Sequence, residues 1–332
     1  MLLRLFKGNS PAIIFLIAVI FIAVWLSALI HPSRLPVPGP VSGPMPLYGL
    51  LTSVTGASGF VAVLVSFALV ALMAFLLVNF NTTSFFINER TYFPALLYIL
   101  AGGIFPEYQA MNPALPASLF LMLAIMRIID GYRKQGLASN FFDAGLLIST
   151  GSLFYADLIW FCCLVFIGII LIRSINISEI SIAVIGIVTP YFLLFGISYI
   201  LGKDPAEVWT VIRDNLFIKK EAYHFTKIIV VTLIADSLII MVSLTYLFSV
   251  LNIKKIKSRK TFSLFVWYFL LTVGAYYILP SVSVEIVWLS AIPCSYFVTH
   301  YFIFIKKRLL PEIFLAIIFL TVLVIQIFHT MG

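Results

Sequence analysis

FFDAGLLISTGSLFYADLIWF, residues 141–161, carries two aspartates, Asp143 and Asp157, fourteen positions apart in a run otherwise suited to hydrocarbon. Read as one helix continuing to Arg173, the segment would be about 50 Å long, against a bilayer core of about 30 Å. Read as two short helices folded back at Tyr155-Ala156-Asp157, it puts the two carboxylates at opposite faces of a membrane. The choice fixes the sidedness of everything that follows in the chain.

Composition sets the solvent. The 332 residues are 62% hydrophobic and 10% charged, with a mean hydropathy of +1.14, whereas a soluble domain carries about 25% charged residues. Apolar runs of membrane-spanning length recur from end to end, and backbone groups in lipid must be paired internally, so the chain reads as helical. The alternating pattern of a transmembrane β-barrel is missing. The basic, apolar N-terminus, MLLRLFKGNSPAIIFLIAVIFIAVWL, reads as a first span rather than a cleaved signal.

Charge distribution decides between the two readings. Folding 141–173 as a hairpin gives eleven spans, near 11–31, 58–79, 92–106, 113–129, 140–155, 157–173, 178–201, 227–251, 262–279, 284–305 and 309–329. With the N-terminus cytoplasmic, 15 Lys and Arg fall inside and 6 outside. A single span through 141–173 leaves 11 against 10 and erases the asymmetry expected of short loops. The sequence therefore predicts an all-α, multi-pass transmembrane bundle of about eleven spans. Its hairpin arms, and the segment bounded by Pro94 and Pro106 and broken at Gly102-Gly103, are short. Such helices are tolerated inside protein or beside a cavity.

Polar chemistry concentrates on the predicted outer face. Loop 32–57 has six prolines in its first half, which reads as stiff and extended, either a tether or a substrate-covering lid. Segment 204–222 reads as an amphipathic interfacial helix capped by Asp204 and Pro205, with Val208, Trp209, Ile212 and Leu216 on one face. Its cations Arg213, Lys219 and Lys220, with His224, are candidates for holding a lipid phosphate, or simply meet headgroups. Glu107 and Asp157 are candidate catalytic acids near the outer mouth of the short helices. Asp143 is expected to pair with Arg127 or Arg133 at the inner end. Asp236 lies two to three turns into its span and is expected to face the bundle or to mark an ion path. NIKKIKSRKTF, 252–262, reads as a polybasic inner loop. Cys162, Cys163 and Cys294 lack metal-ligand spacing, and neither a metal nor a cofactor is expected. Nucleotide-binding, metalloprotease and serine-hydrolase motifs are missing, and nothing supports nucleic-acid binding.

The run FFDAGLLISTGSLFYADLIWFCCLVFIGIILIR, preceded by ERTYFPALLYILAGGIFP and followed by ISIAVIGIVTPYFLLF, resembles an uncharacterised multi-pass inner-membrane family of the Bacteroidota. More distantly, the order of parts is similar to the GT-C superfamily of polyprenyl-phosphate-sugar-dependent glycosyltransferases. That resemblance implies an inner-membrane enzyme of envelope biogenesis using a lipid-linked sugar at the outer face. GT-C enzymes usually place a catalytic acid in the first outer loop; here that loop offers His31 and Arg34, so Glu107 or Asp157 would have to supply it. A transporter or flippase, suggested by Gly102-Gly103, Pro106 and Asp236, and a non-catalytic assembly subunit with another envelope protein as partner are the alternatives.

Overall fold

The computed structural model describes residues 2–6, 8, 10–32, 43–55, 58–132, 139–172, 177–220, 223–306 and 309–331. Among these the secondary structure is helical throughout, with no strand. The helices are α1 (Leu2–Phe6), α2 (Pro11–Ile30), α3 (Pro46–Thr55), α4 (Gly59–Ser84), α5 (Phe93–Gly102), α6 (Ala114–Asp130), α7 (Ser139–Ser152), α8 (Cys163–Ile172), α9 (Ile177–Ile200), α10 (Pro205–Phe217), α11 (Lys227–Val250), α12 (Ile256–Ile278), α13 (Val287–Phe304) and α14 (Leu309–Met331). Seven of them, α2, α4, α9, α11, α12, α13 and α14, are long and apolar enough to cross a bilayer. The protein is an integral membrane protein.

The other four expected spans are shorter than a bilayer requires. α5 has 10 residues, α6 has 17 and α7 has 14, and the second hairpin arm is a 3₁₀ segment, Ala156–Cys162, running into α8. At 1.5 Å per residue, α5 covers only about 15 Å. Two of these pieces are enclosed by protein: every residue of α5 from Phe93 to Leu100 is buried, as is most of α6. Gly102 ends α5 against the ring of Trp288, and Gly103 lies between Val24 and Val322. The glycine pair makes room for neighbours.

The chain does reverse at the predicted place. The Leu153 and Tyr155 amides donate to Thr150 and Gly151 carbonyls at 3.1 Å each, closing α7 before the 3₁₀ turn begins. α7 and α9 then lie parallel, so the α8 arm between them runs the other way. Ser149 Oγ donates to the Ile187 carbonyl at 2.6 Å and Ser152 Oγ lies 2.7 Å from Tyr191 Oη. A Cβ at Gly145 would stand 2.7 Å from the Ala183 carbonyl oxygen, and one at Gly186 would overlap the Phe142 carbonyl. Backbone thus meets backbone, as small residues permit in membrane helix pairs. Gly186→Leu should lower stability by about 1–3 kcal/mol, read as a fall in the thermal midpoint in detergent; an unchanged midpoint would mean the helices are not in contact.

α12 runs antiparallel to α8: Lys260 Nζ donates to the Ile172 carbonyl at 3.2 Å, Tyr268 packs against Phe161, and Ser281 meets Asp157. Asp157 and the polybasic segment therefore occupy opposite ends of the bundle. That segment is not all loop, because α12 starts at Ile256 and takes Lys257, Arg259 and Lys260 into its first turns. Lysine, arginine and serine carry no barrier to helix, and Lys260 is fixed by Ile172. At the same end Arg127 Nε stands 3.7 Å from Asp143 Oδ2, both side chains about half exposed. That is the expected pairing, in a setting where an ion pair adds little stability.

Candidate functional site

The Asp157 end is assembled from five separate stretches of chain. Asp157 opens the 3₁₀ arm and is 1% exposed. Ser281, in the turn between α12 and α13, donates Oγ–H to its Oδ1 at 2.6 Å. Another near polar neighbour of Asp157 is the phenol of buried Tyr155, which interacts with the carboxylate.

Opposite lies Glu285, in the short 3₁₀ turn Val284–Ile286 that leads into α13 and itself 2% exposed. Lys220 forms an ion pair with it and holds its ammonium 5.2 Å from the centre of the Tyr155 ring. The Lys220 amide also donates to the Pro280 carbonyl at 3.1 Å. Segment 218–220 is thereby laid across the α12–α13 turn. The Lys220 charge reaches Asp157 as well as Glu285.

Glu107 enters from the 3₁₀ turn Pro106–Gln109, half buried. Tyr223 and Tyr108 stand around it with ring centres 6.0 Å apart. Burial raises the Tyr108 phenol above its ordinary value, with Ser283 opposing the shift and the Glu285 and Glu107 charges adding to it. Burial likewise raises Tyr223, reinforced by Glu107. Both phenols therefore stay protonated and serve as donors at neutral pH. The two carboxylates singled out from sequence belong to one polar cluster, bridged by tyrosines and Glu285.

The second half of the proline-rich loop packs beside this cluster. Its helix, α3, bonds the Leu47 amide to the Leu153 carbonyl and the Tyr48 hydroxyl to the Met111 carbonyl, each at 3.1 Å. Met45 and Tyr48 pack with Met111, Ala156 and Ile212 in a small apolar cluster. The first half, 33–42, expected from its prolines to be stiff, lies outside the described residues. α10 takes the other side of the same cluster. It is capped as expected, Asp204 accepting from the Ala206 amide at 2.9 Å, but ends at Phe217, not 222. Its packed face is Val208, Ile212 and Leu216, while Trp209 is 57% exposed and points away.

The expected basic cluster is divided. Arg213 folds onto adjacent Asp214 at 3.0 Å, Lys219 and His224 are exposed, and Lys220 alone turns inward. Asp236 lies elsewhere, halfway down α11. Glu285, Ser281, Ser283, Tyr108 and Tyr155 join the site without having been singled out from sequence. The one available signal was their position at the ends of spans on the same side. Among the described residues no group of three or more His, Cys, Asp or Glu is placed to hold a metal.

Residues 47–332 match the model of a family of unknown function, DUF6427. No curated protein and no solved structure matches the chain.

Proposed function

Because the chain belongs to DUF6427, a family without an assigned activity, the chemistry must be read from the site itself, and we propose that the Asp157 chamber is a transferase centre facing the outside of the inner membrane. Its substrate is a sugar carried on a polyprenyl phosphate. The observation that carries the reading is Asp157, a buried carboxylate set beside the Lys220 cation and the Tyr155 phenol. In this reading Asp157 accepts the proton of the attacking hydroxyl as that oxygen bonds the sugar carbon and the lipid phosphate leaves. Tyr108 and Lys220 face the negative charge of the leaving phosphate. Glu107, half exposed at the rim, orients the acceptor. The buried short helices beneath make the floor, and α3 with α10 excludes water, as the GT-C likeness implies. The arrangement also accounts for a first loop without an acid, since the acid comes from the hairpin.

Turnover is the test. Purified protein given polyprenyl-phosphate-linked sugar donors should release lipid phosphate, and Asp157→Asn should lose that activity; a variant as active as the parent would remove Asp157 from the chemistry. Sidedness has its own test. Lys219 is exposed and Lys257 partly exposed, and they lie at opposite ends. On intact cells, a membrane-impermeant maleimide should modify Lys219→Cys and spare Lys257→Cys, and the reverse pattern would put the site in the cytoplasm.

A further inference from the structure

A second cavity lies within the membrane, between α5, α11, α13 and α14, with a volume of about 150 Å³. Aliphatic side chains make most of its wall, Leu97, Leu233 and Val298 among them, and Asp236 is its one carboxyl group. Asp236 Oδ1 is buried and has no hydrogen-bond partner among the described residues.

The remaining polar groups all point the same way chemically. Ser237 Oγ donates to the Leu233 carbonyl at 2.6 Å, Ser290 Oγ to Val287 at 3.2 Å and Ser295 Oγ to Ile292 at 2.7 Å. Each hydroxyl spends its proton on its own helix and offers the cavity only lone pairs. Apart from the weak thiol donor of Cys294, the chamber accepts hydrogen bonds and gives none. A carboxylate in hydrocarbon costs several kcal/mol unless a positive charge is brought to it, and no lysine, arginine or histidine lines this cavity. Next to it on α11, Ser237 and Leu238 are exposed on the lipid-facing surface, so a ligand can arrive from the bilayer.

We propose that this cavity is a binding site for a small organic ammonium ion, its N–H groups shared between Asp236 and the serine oxygens and its alkyl part against the aliphatic wall. A bare metal ion would need a tighter oxygen shell than a chamber of this size and composition supplies. The site is separate from the Asp157 chamber and does not depend on its chemistry.

The test is calorimetric titration of the purified protein in detergent with methylammonium, butylammonium and hexylammonium chlorides, and with sodium chloride. Affinity should rise about fourfold per added methylene until the cavity is full. Asp236→Asn should weaken hexylammonium binding at least about tenfold, and Ser290→Ala with Ser295→Ala a few-fold, while Asp157→Asn leaves it unchanged. The serine variant keeps the carboxyl and so reads the site even if the Asn variant folds badly. Equal hexylammonium binding by the parent and both cavity variants would overturn the proposal, as would a response to sodium with none to the amines.

Discussion

Replacing Asp157 with asparagine should cut turnover by about 10²–10⁴-fold and leave the thermal midpoint nearly where it was. The side chain keeps its shape, and the amide oxygen can still accept from Ser281 Oγ as Oδ1 does now. What disappears is the basic carboxylate oxygen on the side away from Ser281. If the loss is confined to proton transfer, kcat should fall and KM stay close to the parent value. A destabilised variant with unaltered turnover would instead assign Asp157 to the scaffold.

The second large effect concerns stability. Lys220→Met should destabilise the fold by about 3 kcal/mol, near the lower end of what breaking a buried ion pair costs. Glu285 is 3% exposed in its side chain and Lys220 25%, so removing the cation strands a carboxylate that water barely reaches. Removing both charges should recover most of the loss, because Lys220→Met with Glu285→Leu leaves no buried charge unpaired. Chemical denaturation of the single and double variants in detergent measures the difference. A double variant as unstable as the single would mean that Lys220 acts through packing on Tyr155 rather than through Glu285.

Much of this architecture is legible in the sequence because lipid imposes few rules and strict ones. The reversal near Tyr155 follows from helix length and the distribution of lysine and arginine, and the short α5 from Pro94 and the glycine pair. The count of eleven spans goes further than the helices do, since seven of those described are long and apolar enough to cross a bilayer. Apolar composition marks a segment as dry, but it cannot distinguish a helix bathed in lipid from one such as α5 enclosed by protein. The site divides the same way. Glu107 and Asp157 stand out as charges among apolar neighbours. The bond from Ser281 to Asp157 joins positions 124 apart, and a serine in PSVSVEI has no periodicity to betray it. Lys220 looks like one of three equivalent cations because its inward turn depends on segment 218–220 crossing the α12–α13 turn.

The backbone-to-backbone seam between α7 and α9 carries a mechanical consequence. Helices locked through Gly145 and Gly186 cannot slide without colliding carbonyls, so the inner wall behind Asp157 travels as one piece. The opposite wall is fastened by a handful of polar bolts: Leu47 to Leu153, Asn215 to Gly43 and Lys220 to Glu285. In the proposed reading, a bulky headgroup enters past α3 and α10, on the side of the site held by these few polar bonds.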